Sequence, residues 1–87
     1  MNKLIFSDDA WKDYLYWQTQ DKKTLKRINA LLQDILRNGN EGIGKPEPLR
    51  ENFSGYWSRR IDETNRLVYQ ITGEYVEIIS CRGHYEN

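Results

Sequence analysis

The chain has 87 residues, 38% of them hydrophobic and 30% charged, and its 13 basic residues balance 13 acidic ones. That composition fits one folded domain over residues 1–87 rather than a disordered chain, and the zero formal charge argues against a nonspecific DNA coat, which would be strongly basic. No apolar run is long enough for a transmembrane helix, Asp8, Asp9, Lys12 and Asp13 break up any leader-like stretch, and the single cysteine, Cys81, has no internal disulfide partner, so the expected compartment is the cytoplasm and no membrane is implied.

In chain order, Lys3, Leu4, Ile5 and Phe6 read as a strand. Ser7 then offers a helix cap, with Asp8 and Asp9 well placed for the positive end of a helix dipole. The spacing of Trp11, Tyr14, Leu15 and Gln18 predicts one apolar face for this helix, with Ala10 and Trp17 at its margins and an end near Thr19-Gln20. Asp21 caps a second helix, whose Leu25, Ile28, Leu31, Leu32, Ile35 and Leu36 keep a 3–4 spacing up to Gly39. The short join predicts an antiparallel helical hairpin. Residues 40–48, with both prolines, read as a loop in which Pro46 and Pro48 fix the backbone on either side of Glu47. Strands follow at 56–61, 66–72 and 75–82, joined by a turn at 62–65 and a tight turn at Thr72-Gly73. The resulting β-α-α-β-β-β order predicts an α+β domain, a two-helix hairpin on a small, mainly antiparallel sheet.

Strand alternation opposes Val76, Ile78, Ser80 and Arg82 to Tyr75, Glu77, Ile79 and Cys81, and assigns Val76 and Ile78 to the helix side. Both sheet faces are part apolar, so the face without helices is expected to meet a ligand or a protein partner. Residues 45–87 carry Lys45, Arg50, Arg59, Arg60, Arg66 and Arg82 among seven acidic residues, so only folding could gather these cations on one surface. Five of the six are arginines, whose planar fork suits phosphate.

Four residues have the chemistry of metal-free RNA cleavage: a carboxylate to take a proton, Glu47; a cation for a phosphoryl group, Arg66; a histidine to return a proton, His84; and a ring to stack on a base, Tyr85. Lys45, Arg59, Arg60 and Arg82 are candidate supporting cations. Each has a plain alternative. An acid between two prolines suits a solvated loop, an arginine at a strand start suits a cross-strand pair, a terminal histidine suits a fraying tail, and the tyrosine beside it suits simple packing of that tail. One histidine and one cysteine three residues apart do not make a zinc site, and Gly39, Gly42 and Gly44 lack the setting of a nucleotide loop, so neither metal nor cofactor is expected.

Five segments are more specific: Trp11 to Trp17 (WKDYLYW), Gly44 to Leu49 (GKPEPL), Ser54 to Ile61 (SGYWSRRI), Asn65 to Tyr69 (NRLVY) and Cys81 to Tyr85 (CRGHY). In order and spacing they resemble the YoeB (Txe/YoeB) toxins of bacterial type II toxin–antitoxin modules, within the RelE/ParE superfamily. The resemblance implies an mRNA interferase that cuts message in the ribosomal A site and inhibits translation. It implies Glu47 as general base, Arg66 as stabiliser of the phosphoryl transition state, His84 as general acid and Tyr85 as the residue that orients substrate. Its implied partners are a YefM-like antitoxin, the 70S ribosome with mRNA, a second copy of the toxin, and operator DNA only through the antitoxin complex. Two departures stand out: Glu86 and Asn87 follow the tyrosine where the family pattern often stops, and Gly83 replaces a bulkier residue, implying a looser tail. The rival readings are a ParE-like gyrase poison, which would need no general acid, and a noncatalytic interaction domain presenting Trp11, Trp17 and Trp57.

Overall fold

A computed structural model describes residues 3–84; Tyr85, Glu86 and Asn87 lie outside the described residues. Strand β1 (Lys3–Phe6) leads into helix α1 (Asp8–Gln20) and helix α2 (Lys22–Asn38). Strands β2 (Glu47–Pro48), β3 (Trp57–Arg60), β4 (Arg66–Thr72) and β5 (Tyr75–Ser80) follow, with a 3-10 turn at Glu51–Phe53. The sheet order is β1-β5-β4-β3-β2; β1 runs parallel to β5 and every other pair is antiparallel.

The helix ends follow the capping residues. Ser7 Oγ accepts the Ala10 N–H at 3.0 Å and donates to the Ile79 carbonyl at 2.8 Å, so one hydroxyl caps α1 and ties it to the sheet. Asp21 accepts from the backbone N–H groups of Lys23 and Thr24. Gly39, at φ 67°, closes α2 by donating to the Ile35 carbonyl at 2.8 Å. Ile28, Leu31, Leu32 and Ile35 of α2 pack with Ala10 and Trp17 of α1 on Leu67, Tyr69, Val76 and Ile78 of the sheet.

Four expectations change. The buried side of α1 carries Ala10 and Trp17, whereas Trp11 is 49% exposed and Leu15 43% exposed. The stripe shifts because Trp17 Nε1 must reach the Cys81 carbonyl, at 2.8 Å, and Phe6, Trp11 and Tyr14 form their own ring cluster at the helix margin. The loop around Glu47 contains an edge strand, which suits Pro48 because an edge position needs no N–H from it. A bulge pairs Val68 with Ser80 but Tyr69 with Ile78, leaving Ile79 extra. This reverses the alternation, so Cys81 falls among the buried residues under the helices, and burial pushes its thiol up to about 12. Strand pairing also stops at Ser80, because α1 takes over the backbone beyond it: Asp13 Oδ2 accepts the Cys81 N–H at 3.0 Å. Val76 and Ile78 face the helices as expected.

Candidate active site

The face without helices is assembled strand by strand. Glu47 pairs with Ser58, Ser58 with Val68, and Val68 with Ser80, so these four share one row on the open side. In the adjoining row Arg60 pairs with Arg66. Strand spacing and rise put the Glu47 and Arg66 backbones roughly 10–12 Å apart, close enough for two long side chains to converge on one phosphodiester. Ser58, Val68 and Ser80 form a buried floor, and Ser80 Oγ, on a residue only 6% exposed, has no hydrogen-bond partner among the described residues. A cavity of about 380 Å³ lined by Glu47, Pro48, Leu49 and Arg50 opens at the β2 edge. A larger groove of about 430 Å³, lined by Leu4, Phe6, Tyr14, Leu32 and Leu36, lies on the helix side and brings none of these polar residues together.

The histidine-bearing tail is anchored at Arg66. The Asn65 side-chain oxygen accepts the Gly83 N–H at 2.8 Å, and the Gly83 carbonyl accepts the Arg66 N–H at 2.8 Å. Asn65 is held in turn by Asp62, which accepts the N–H groups of Thr64 and Asn65 and the Asn65 amide. Burial pushes the Asp62 carboxyl up, but these hydrogen bonds outweigh it and leave it below the usual carboxylate value. Upstream, Ser7, Asp13 and Trp17 clamp residues 79–81 through the bonds given above, so the tail leaves a rigid base. Gly83 takes φ 98°, which strains any residue with a Cβ; both its backbone groups are bonded, a firmer anchor than its small size implied. His84 is exposed immediately beyond it. Tyr85 lies outside the described residues.

The supporting cations divide. Arg60 is exposed on the open face beside Arg66, and neither guanidinium makes a hydrogen bond or ion pair among the described residues. Lys45 is exposed two residues before Glu47, at φ 52°. The exposed Arg82 lies over the Tyr16 ring of α1, its guanidinium carbon 3.6 Å from the ring centroid. Arg59 is a correction. It has no exposed surface and points to the helix side, where Asp34 and the carbonyls of the 39–43 loop surround it, so it cannot reach RNA. Alternation along β3 forces that choice, since Arg60 occupies the open side. The tryptophan surface of the interaction-domain reading is not formed either: Trp17 is buried, Trp57 is half-buried against the core, and only Trp11 is well exposed. Among the described residues no group of three or more His, Cys, Asp or Glu side chains could hold a metal ion.

Sequence reasoning missed the Asp62–Asn65–Gly83 link and the Asp34–Arg59 pair. The first had a local signal, an Asx-type turn directly before Arg66. The second joins residues 25 apart and had only the loop glycines Gly42 and Gly44 as a sign of close packing.

Two helices on one side of a five-stranded sheet, with Glu47, Arg60, Arg66 and the histidine-bearing tail gathered by the other, define a toxin of the RelE/ParE-like class. The family described as YoeB-like toxin of bacterial type II toxin-antitoxin system matches residues 6–85. Toxin YoeB of Escherichia coli strain K12 is 55% identical over 83 residues, covering 95% of this chain and 99% of that protein. A YoeB–YefM complex from Staphylococcus aureus superposes with a TM-score of 0.90 at 49% identity, covering 98% of this chain and 99% of the other. A YoeB dimer from Staphylococcus aureus gives 0.91 at 50% identity, covering 97% and 98%. The chain belongs to the YoeB family of type II toxins.

Proposed function

We propose the following course for the reaction on the open face. As a YoeB-family toxin the chain is an endoribonuclease that cuts mRNA on the ribosome and so inhibits translation. Glu47 takes the proton from the RNA 2′-hydroxyl, and that oxygen attacks the adjacent phosphorus. Arg66, with Arg60 beside it, offsets the charge that builds on the phosphoryl oxygens. His84 gives its proton to the departing 5′-oxygen, and Tyr85 orients the nucleotide. The products are a 2′,3′-cyclic phosphate, or its opened form, and a 5′-hydroxyl end; the nucleophile is part of the substrate, so no cofactor enters. The observation that carries this reading is the double backbone anchor of Gly83 at Asn65 and Arg66, which brings the histidine tail to the arginine on the Glu47 face.

The formal charge is zero, so grip on the message falls to the ribosome. A YefM-like antitoxin would cover Arg60, Arg66 and the tail; Arg59, being interior, takes no part. A second copy forms the homodimer, and Trp11 and Leu15 supply apolar surface for a partner chain to cover. Operator DNA is reached only through the antitoxin, and ribosome-bound substrate places the toxin in the cytoplasm.

The test is cleavage of ribosome-bound message by Glu47→Gln and Lys45→Ala separately, beside a message with 2′-deoxy sugar at the cut nucleotide. Glu47→Gln should lose roughly 10²- to 10⁴-fold in rate, and the deoxy message should stay intact, with chelator of no effect beyond the ribosome's own magnesium need. An active Glu47→Gln beside an inactive Lys45→Ala would make lysine the base.

A further inference from the structure

Arg59 uses its whole hydrogen-bonding capacity on one short segment and its surroundings. A guanidinium has five N–H donors, and here each has an acceptor. Nε donates to the Tyr69 hydroxyl at 3.3 Å. Nη1 donates to the Asp34 carboxylate and to the Ile43 carbonyl at 2.9 Å. Nη2 donates to the carbonyls of Gly39 at 2.6 Å and Glu41 at 2.9 Å. Alternate carbonyls of residues 39–43 thus converge on one cation. Asp34 closes the ring from the other side: it accepts the Ile43 N–H at 3.0 Å and the Asn38 amide at 2.7 Å. The winding is tight. A Cβ on Gly42 would lie 1.9 Å from Asp34 Oδ2, and one on Gly44 would lie 2.7 Å from Leu31 Cδ2 and 3.2 Å from Arg59 Cβ.

The wound segment runs directly into the reaction site. The Gly44 carbonyl accepts the Arg60 N–H at 2.7 Å, Lys45 follows, and Glu47 pairs with Ser58, the neighbour of Arg59 on β3. One strand therefore holds the loop with the side chain of Arg59 on one face, and presents Ser58 and Arg60 beside Glu47 on the other. The geometry points to Arg59 and Asp34 as positioning residues: their ion pair, with Arg59 fully buried and Asp34 partly so, is the core around which residues 39–45 wind, and it sets where the Glu47 carboxylate and the Lys45 ammonium stand over the RNA. This rests on the RNA-cleavage reading above. A lysine could not replace Arg59, because one ammonium cannot reach acceptors spread around a planar fork. Misplacing a reacting group by about 1 Å costs on the order of 10²-fold in rate.

The test uses two variants, Asp34→Asn, which removes the charge but keeps an acceptor, and Gly42→Ala, whose Cβ displaces the Asp34 oxygen that takes the Arg59 and Ile43 hydrogen bonds. Each is assayed on ribosome-bound message in the native and the Glu47→Gln background, with thermal unfolding followed in parallel. The maximal rate should fall about tenfold to a hundredfold, with the ribosome concentration for half-saturation unchanged within about twofold. In the Glu47→Gln background each substitution should cost clearly less than in the native one, since one of the two groups it positions is gone. Folded variants that cut at the native rate overturn the inference, as does a loss of equal size in both backgrounds, which would assign the pair to the fold alone. A native chain that leaves the message intact sinks the cleavage reading and this inference with it. A native chain that cuts, with Glu47→Gln inactive and both loop variants fully active, sinks the inference alone.

Discussion

Arg59 and Arg60 are neighbours in sequence and opposites in structure. Arg59 is fully buried on the helix side of β3 with all five donors engaged, while Arg60 stands exposed on the open side beside Arg66. The helix side saturates its charge: an uncompensated buried guanidinium would cost several kcal/mol, so a carboxylate and three carbonyls close around it. The open side keeps two guanidiniums unengaged among the described residues, over a floor of small and apolar side chains. One face is satisfied without a ligand, and the other is the face proposed to take the RNA.

The largest expected effect tests the open face. His84→Gln should lower cleavage of ribosome-bound message by roughly 10²- to 10⁴-fold, with unfolding unaltered because the side chain is exposed. A rate equal to the native chain's would remove His84 from the chemistry and leave the open face as a docking surface.

Next in size is a direct contrast of the neighbours. Arg59→Met removes the charged donor from Asp34 and from three carbonyls and should cost about 3–5 kcal/mol in denaturant unfolding. Arg60→Met should stay within about 0.5 kcal/mol, because it breaks no side-chain bond among the described residues. Equal losses would erase the distinction between the two faces.

The smallest effect is in acid. The Asp34 carboxyl lies below its ordinary value of 3.8, chiefly through the hydrogen bond from Arg59, with burial opposing and the Ile43 N–H assisting. A carboxyl whose pKa is lower folded than unfolded contributes stability that is fully present above the unfolded value and lost as pH falls through the folded one. Stability should therefore decline as pH drops below about 4, and Asp34→Asn should flatten that decline. An unchanged acid limb in Asp34→Asn would mean that the winding of residues 39–43 around Arg59 does not depend on the charge of Asp34.

Local chemistry makes much of this molecule legible in its sequence. Ser7, Asp21 and Gly39 bound the helices because each supplies what a free helix end lacks, and the strand from Arg66 to Thr72 lies where its alternation and flanking turns put it. The words around Glu47, Arg66 and His84 announced the family because they are contiguous strings. Tertiary structure alone decided which of two adjacent arginines is interior, since alternation assigns them to opposite faces without saying which face the helices cover. It also decided the side on which Cys81 falls, because the bulge at Ile79 reverses a period-two pattern in a way no composition marks. The joining of Asp34 to Arg59 and of Gly83 to Asn65 was equally beyond the sequence. Side chains that meet through folding leave no periodic trace in the chain, and the positions of the loop and the tail at the site depend on those meetings.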